Sequence, residues 1–209
     1  MPSVDGTTPH AAPVLGHVNL MVDTFISNVN LIDLQDTIRR TLATSPPSVA
    51  AAFTAAARDR LTRSKADAVP DPVTLFVQKS DSEWEAAADL EAVLHRARAL
   101  YGSGLGLASL RVLTAVVAGA SRIRWEPDSD METLLAYIDA DIAQAVVSTG
   151  QEVDAGRMGV EDEAETHKTM TSALKECADS VAAWDGDFPF ERALDSVEQW
   201  KPGQAPLGR

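Results

Sequence analysis

An all-α fold follows from three features of the sequence. Aromatic residues make up only 5% of the chain, whereas 33 residues are alanine, a composition that suits closely approaching helices better than sheets built on aromatic and β-branched side chains. Apolar residues recur at intervals of three and four along most of the chain. Capping pairs stand where those runs begin: Asn30 with Asp33, Ser82 with Glu85, and Ser129 with Glu132. The expected architecture is a single-domain irregular bundle of about seven helices around a central apolar helix at 105–121. A tail at 1–15 precedes the helical domain at 16–200, and a second tail at 201–209 follows it.

Pro2, Pro9 and Pro13 leave the first tail without periodicity. Residues 18–29 are ambiguous, but Leu31, Leu34, Ile38 and Leu42 mark a helix that ends at Thr44–Ser48. Pro46 and Pro47 suit the first turn of the next helix, where a missing N–H costs nothing. Its apolar face is Val49, Ala52, Phe53, Ala56 and Leu61. The segment Val73–Val77 is the one strand candidate, and with no second strand it is expected to lay Leu75 and Phe76 into a groove between helices. From Ser82 a helix is expected to run to Tyr101 with Trp84, Ala87, Leu94 and Ala97 inward, ending at Gly102, Gly104 and Gly106.

The apolar helix Leu105–Ser121 is 17 residues long, at the lower limit for a bilayer span, and Arg111 near its middle would cost about 3 kcal/mol on insertion. A buried bundle helix is the better reading. After Ser129 a long helix carries the seam Met131, Leu135, Ile138, Ile142, Ala145, Thr149 and Val153. The following helix, Val160–Asp185, turns Ala164, His167, Met170, Leu174, Cys177, Val181 and Trp184 inward. A short last helix ends near Trp200.

The net charge of −13 is unevenly placed. Residues 1–125 carry 12 acidic and 12 basic side chains, whereas 126–198 carry 19 acidic ones against Arg157, Lys168, Lys175 and Arg192. A surface of that sign repels phosphate backbones and anionic lipid, so neither nucleic acid nor membrane is an expected partner. Cys177 is the single cysteine, which removes intrachain disulfides and Cys-rich metal clusters and suits a reducing compartment. With no basic start or apolar run at the N-terminus, a cytoplasmic location is expected.

Four residues are candidates for a ligand pocket in the bundle: Arg111, Trp125, Tyr137 and His167. Arg111 is the only charge in the apolar run, and a charge so placed must be paired, as with Asp139 or Asp141, or reach solvent along its stem. The alternative role is an anchor for a carboxylate or phosphate ligand. The turn Gly102-Ser-Gly-Leu-Gly106 lacks the strand, spacing and lysine of nucleotide-binding loops, although N–H groups opening the apolar helix could receive an anion. No Glu-x-x-His pair, calcium loop or nucleophile motif occurs, so no metal, no cofactor and no catalytic residue is assigned.

Trp184, Phe188, Phe190 and Trp200 gather near the C-terminus, either as a clasp closing the bundle or as an aromatic hot spot ringed by acid. The function these features favour is a non-catalytic interaction or regulatory protein using its acidic C-terminal helices toward a basic or amphipathic protein. The alternative is a small-molecule binder or enzyme with a pocket near Arg111 and His167. The seam Met131–Val153 can be satisfied within the chain or across a dimer, so oligomeric state is open.

Overall fold

A computed structural model describes residues 20–80, 83–157 and 159–203. The expected tail 1–15, His17, the capping residue Ser82 and residues 204–209 lie outside the described residues. Eight helices form among those described: α1 Leu20–Asn28, α2 Leu31–Thr44, α3 Pro47–Arg63, α4 Leu90–Gly102, α5 Gly106–Ala120, α6 Asp130–Asp154, α7 Val160–Ala182 and α8 Glu191–Gln199. Two short strands, β1 Phe76–Gln78 and β2 Trp84–Ala86, complete an all-α fold. The chain divides into two compact units, Met1–Ala51 and Ala52–Arg209.

The first unit contains α1, α2 and the opening of α3. Asn30 caps α2 as its position suggests: its Oδ1 accepts from the Asp33 N–H at 2.9 Å. α2 buries no residue, and Leu34, Ile38 and Leu42 are only half-buried while Leu31 and Ile32 are exposed.

The second unit is an irregular bundle around α5, which packs against α4, α6 and α7. Its apolar residues occur all round, as in a helix buried on every side: Leu110, Val112, Leu113, Val116, Val117 and Ala120 are fully buried. Each such aliphatic side chain contributes about 1.5–3 kcal/mol on leaving water. Close approach rests on small residues. A Cβ on Gly106 would lie 2.3 Å from the Thr149 backbone nitrogen, and one on Gly119 would lie 2.8 Å from the Pro72 carbonyl oxygen. Small hydroxyl groups satisfy carbonyls where α4 meets α5 and α6, Ser109 Oγ donating to Ala97 O and Ser148 Oγ to Tyr101 O, both at 2.8 Å. Ser129 caps α6, accepting from Glu132 N at 3.3 Å. The seam from Met131 to Thr149 is buried, with Val153 half-buried at its end.

Several elements differ from expectation. Trp84–Ala86 is a strand rather than the start of a helix, and α4 begins at Leu90. Leu75 and Phe76 are buried as expected, but Phe76 heads a β-strand that pairs antiparallel with the second, Phe76 opposite Ala86 and Gln78 opposite Trp84. Seating Leu75, Phe76 and Trp84 on the core overrides the helical preference of the alanine-rich run that follows. The apolar face expected on α3 is open: Val49, Phe53 and Ala56 are exposed, and only Leu61 reaches the core of the second unit. On α7, Ala164 is exposed while Glu163 and Thr166 are buried in its place, because both polar side chains find partners.

Candidate functional site

The four pocket candidates are held apart. Arg111 lies on the outer edge of α5, its Nη2 2.9 Å from Asp162 Oδ1 and its Nε donating to Thr166 Oγ1 at 3.2 Å. Its partner is therefore on α7, not Asp139 or Asp141 on α6. One residue along from Thr166, His167 turns the other way. Its Nε2 is 3.0 Å from the Val197 carbonyl oxygen, an acceptor, so Nε2 carries a proton. The imidazole also meets the edge of Trp200 at a centroid distance of 5.1 Å. Trp125 is buried and edge-to-face with Trp184 at 5.1 Å and 86°. Tyr137 is 62% exposed.

The C-terminal aromatics pack inward to different degrees. Phe190 is fully buried and edge-on to half-buried Phe188, 6.0 Å between centroids. Trp200 Nε1 donates to Glu163 Oε1 at 2.8 Å, while the Gly203 N–H donates to the second oxygen at 3.0 Å. Trp184 packs closely against Gly186, where a Cβ would come within 2.2 Å of the ring. Its buried Nε1 has no hydrogen-bond acceptor among the described residues. Such contacts describe a clasp over α6 and α7 better than a projecting hot spot.

Several carboxylates of the acidic half serve the fold. Glu152 of α6 accepts from Leu107 N at 3.2 Å, at the uncapped start of α5, and Asp139 accepts from Ala193 N in the first turn of α8 at 2.7 Å. The anion that the glycine-rich turn could receive is thus the chain's own Glu152. Burial pushes both carboxyls above their ordinary range, against the opposing pull of these N–H donors and of nearby arginines. Asp141 is held by Arg98 Nε at 2.9 Å, Arg98 Nη2 at 2.8 Å and the Tyr101 hydroxyl at 2.9 Å. Apart from buried Glu163 and half-buried Glu132, the other acids point outward. Of the 19 in 126–198, 14 are exposed, and among the described residues only Asp162 of these forms an ion pair.

A groove of about 610 Å³ opens between the β1–β2 hairpin and the segment joining α5 to α6. Trp84, Trp125, Met131 and Leu134 supply its apolar lining, and Lys79, Glu83, Glu85, Arg124, Glu126 and Asp130 its charges. Lys79 Nζ is 3.5 Å from Glu83 and 3.8 Å from Glu85. Of the pocket candidates only Trp125 reaches this groove. Trp84 and the charged residues were not singled out by sequence, although the patterns Glu83-Trp84-Glu85 and Arg124-Trp125-Glu126 mark both tryptophans as flanked by charge. A shallower apolar recess of about 400 Å³ lies between α3 and α4, lined by Phe53, Ala57, Leu61 and Ala99.

No group of three or more His, Cys, Asp or Glu side chains that could hold a metal occurs among the described residues. Among the described residues no helix is long and apolar enough to cross a membrane. Comparison with protein-family models, with curated proteins and with solved structures gives no match.

Proposed function

We propose that this chain is a non-catalytic interaction protein that offers the outer face of α6, α7 and α8 to a basic or amphipathic protein partner in a reducing, cytoplasmic setting. One observation carries the reading: 14 exposed carboxylates in 126–198, of which only Asp162 is paired with a cation among the described residues. A field of one sign at this density speeds encounter with cationic surfaces and rejects acidic ones. The test is fluorescence anisotropy of a labelled basic amphipathic peptide, read at low and high salt. Charge reversal at the exposed positions Glu161, Glu165 and Glu176, each to Lys, is expected to weaken binding by about tenfold and to flatten its salt dependence. Equal affinity in the reversed variant sinks the proposal.

The second reading, a small-molecule site, draws support from the groove beside Trp125, whose volume falls in the range of ligand pockets. A site between Arg111 and His167 draws less, since a ligand there would have to displace Asp162, Thr166 and the Val197 carbonyl.

A further inference from the structure

The groove between the hairpin and the α5–α6 segment has a lining of definite sign. Two indole rings, Met131 and Leu134 make its apolar part, while four carboxylates face two cations around it. Lys79 is already engaged by Glu83 and Glu85. Glu126 and Asp130 are exposed and have no cationic partner among the described residues, and Arg124 is likewise unpaired. The lining is therefore net negative, and it is embedded in a chain of net charge −13. Indole faces attract cations through their quadrupole, and an aliphatic stem packs on the same apolar surface that its charged end would leave for the carboxylates. Within the hairpin itself, Lys79 Nζ already meets two of the lining carboxylates.

We infer that this groove receives a lysine or arginine side chain of a partner peptide, the stem lying along Trp84 and Trp125 and the cation meeting Glu126 and Asp130. The inference rests on the acidic-face reading only for the sign of the partner, because the groove lies apart from the α7 positions that test that reading. Arg124 is the lining cation without a carboxylate partner among the described residues, and it opposes the occupant, which gives the proposal a test of sign.

The experiment is a titration of the full chain with a short lysine-containing peptide, followed through the indole ¹H–¹⁵N resonances, with the acetyl-lysine peptide and a glutamate peptide as controls. The resonances of Trp84 and Trp125 are expected to move with the lysine peptide only, while that of Trp200 stays in place. Glu126→Gln with Asp130→Asn should weaken binding by about fivefold, and Arg124→Gln should strengthen it. All three positions are exposed, so these variants should keep the wild-type spectrum elsewhere. Absence of any shift, an equal response to acetyl-lysine, or preference for the glutamate peptide with loss in Arg124→Gln each overturns the inference. Reversal of Glu161, Glu165 and Glu176 should leave the groove response standing, so that the two proposals fail separately.

Discussion

Glu152 on α6 accepts a hydrogen bond from the Leu107 backbone N–H at 3.2 Å and so caps α5 from a neighbouring helix. The start of α5 has no side-chain cap of its own. A buried helix end without a partner would strand several N–H groups, and a carboxylate there meets both the donors and the positive end of the helix dipole. The cost is burial of the carboxylate, which outweighs the donors and holds its pKa above the ordinary range.

That balance fixes a pH dependence. A carboxyl with a raised folded pKa contributes stability that is fully present below its unfolded pKa and is lost as pH rises through the folded value. Glu152→Gln keeps an acceptor without the charge. Its stability relative to wild type should therefore be near zero difference in acid and should grow as pH rises toward neutral. Glu152→Ala leaves the Leu107 N–H unpaired and should lose about 1–3 kcal/mol. Urea midpoints measured across the acid-to-neutral range check both variants; a Gln variant that loses ground with rising pH would refute the burial argument.

Gly106 and Gly150 make a matched pair. A Cβ at Gly106 would collide with the Thr149 backbone at 2.3 Å, whereas one at Gly150 meets nothing within 4 Å. Gly106→Ala should force α5 from α6 and cost about 1–3 kcal/mol. Gly150→Ala, inside α6, should gain about 0.5–1 kcal/mol from the lower entropy of the unfolded chain and better helix propensity. Thermal unfolding of the two variants gives opposite shifts in Tm if the α5–α6 crossing is as close as described.

Periodicity revealed which faces are apolar but not which neighbours they meet. The seam of α6 and the burial of α5 could be read because their spacing alone demands a helical interior. Arg111 stood out for the same reason, yet its partner was sought on α6 when Asp162 on α7 holds it, since spacing along one helix is silent about the order of helices around it. The hairpin was hidden by Glu85–Ala88, good helix formers, because the burial of Leu75 and Phe76 that decides the local structure lies about ten residues earlier. The groove was hidden for a related reason: it joins residues 79–86 to 124–134, and only the fold brings Trp84 and Trp125 to one lining.

Tyr101 reports on the contact between α4 and α6. Its hydroxyl donates to Asp141 at 2.9 Å, and burial first, then this hydrogen bond, pushes its pKa up to about 12. The Arg98–Asp141 pair is partly screened because Arg98 is 38% exposed. Asp141→Asn should cost about 1–3 kcal/mol and lower the Tyr101 pKa only part of the way toward its ordinary value, because burial, the larger cause, remains. Ultraviolet difference titration of the phenolate checks the second point. In wild type, the Tyr101 contribution to stability is present below its unfolded pKa and is lost as pH rises through about 12.

Cys177 gives a direct measure of how firmly α7 is seated. Its thiol is fully buried, and burial raises its pKa to about 12. The thiolate is the reactive species, so at pH 8 very little of the native thiol is in the reactive form. Native protein should leave an aromatic disulfide reagent uncoloured, while urea-unfolded protein should release one equivalent of thiol. Between these limits the rate should follow the population of opened α7, so it should rise with urea as the global unfolding curve does. Rapid labelling without denaturant would show that α7 detaches from α5 independently, and the hydrogen bonds that Glu163 makes to Trp200 and Gly203 would then be too weak to hold the clasp.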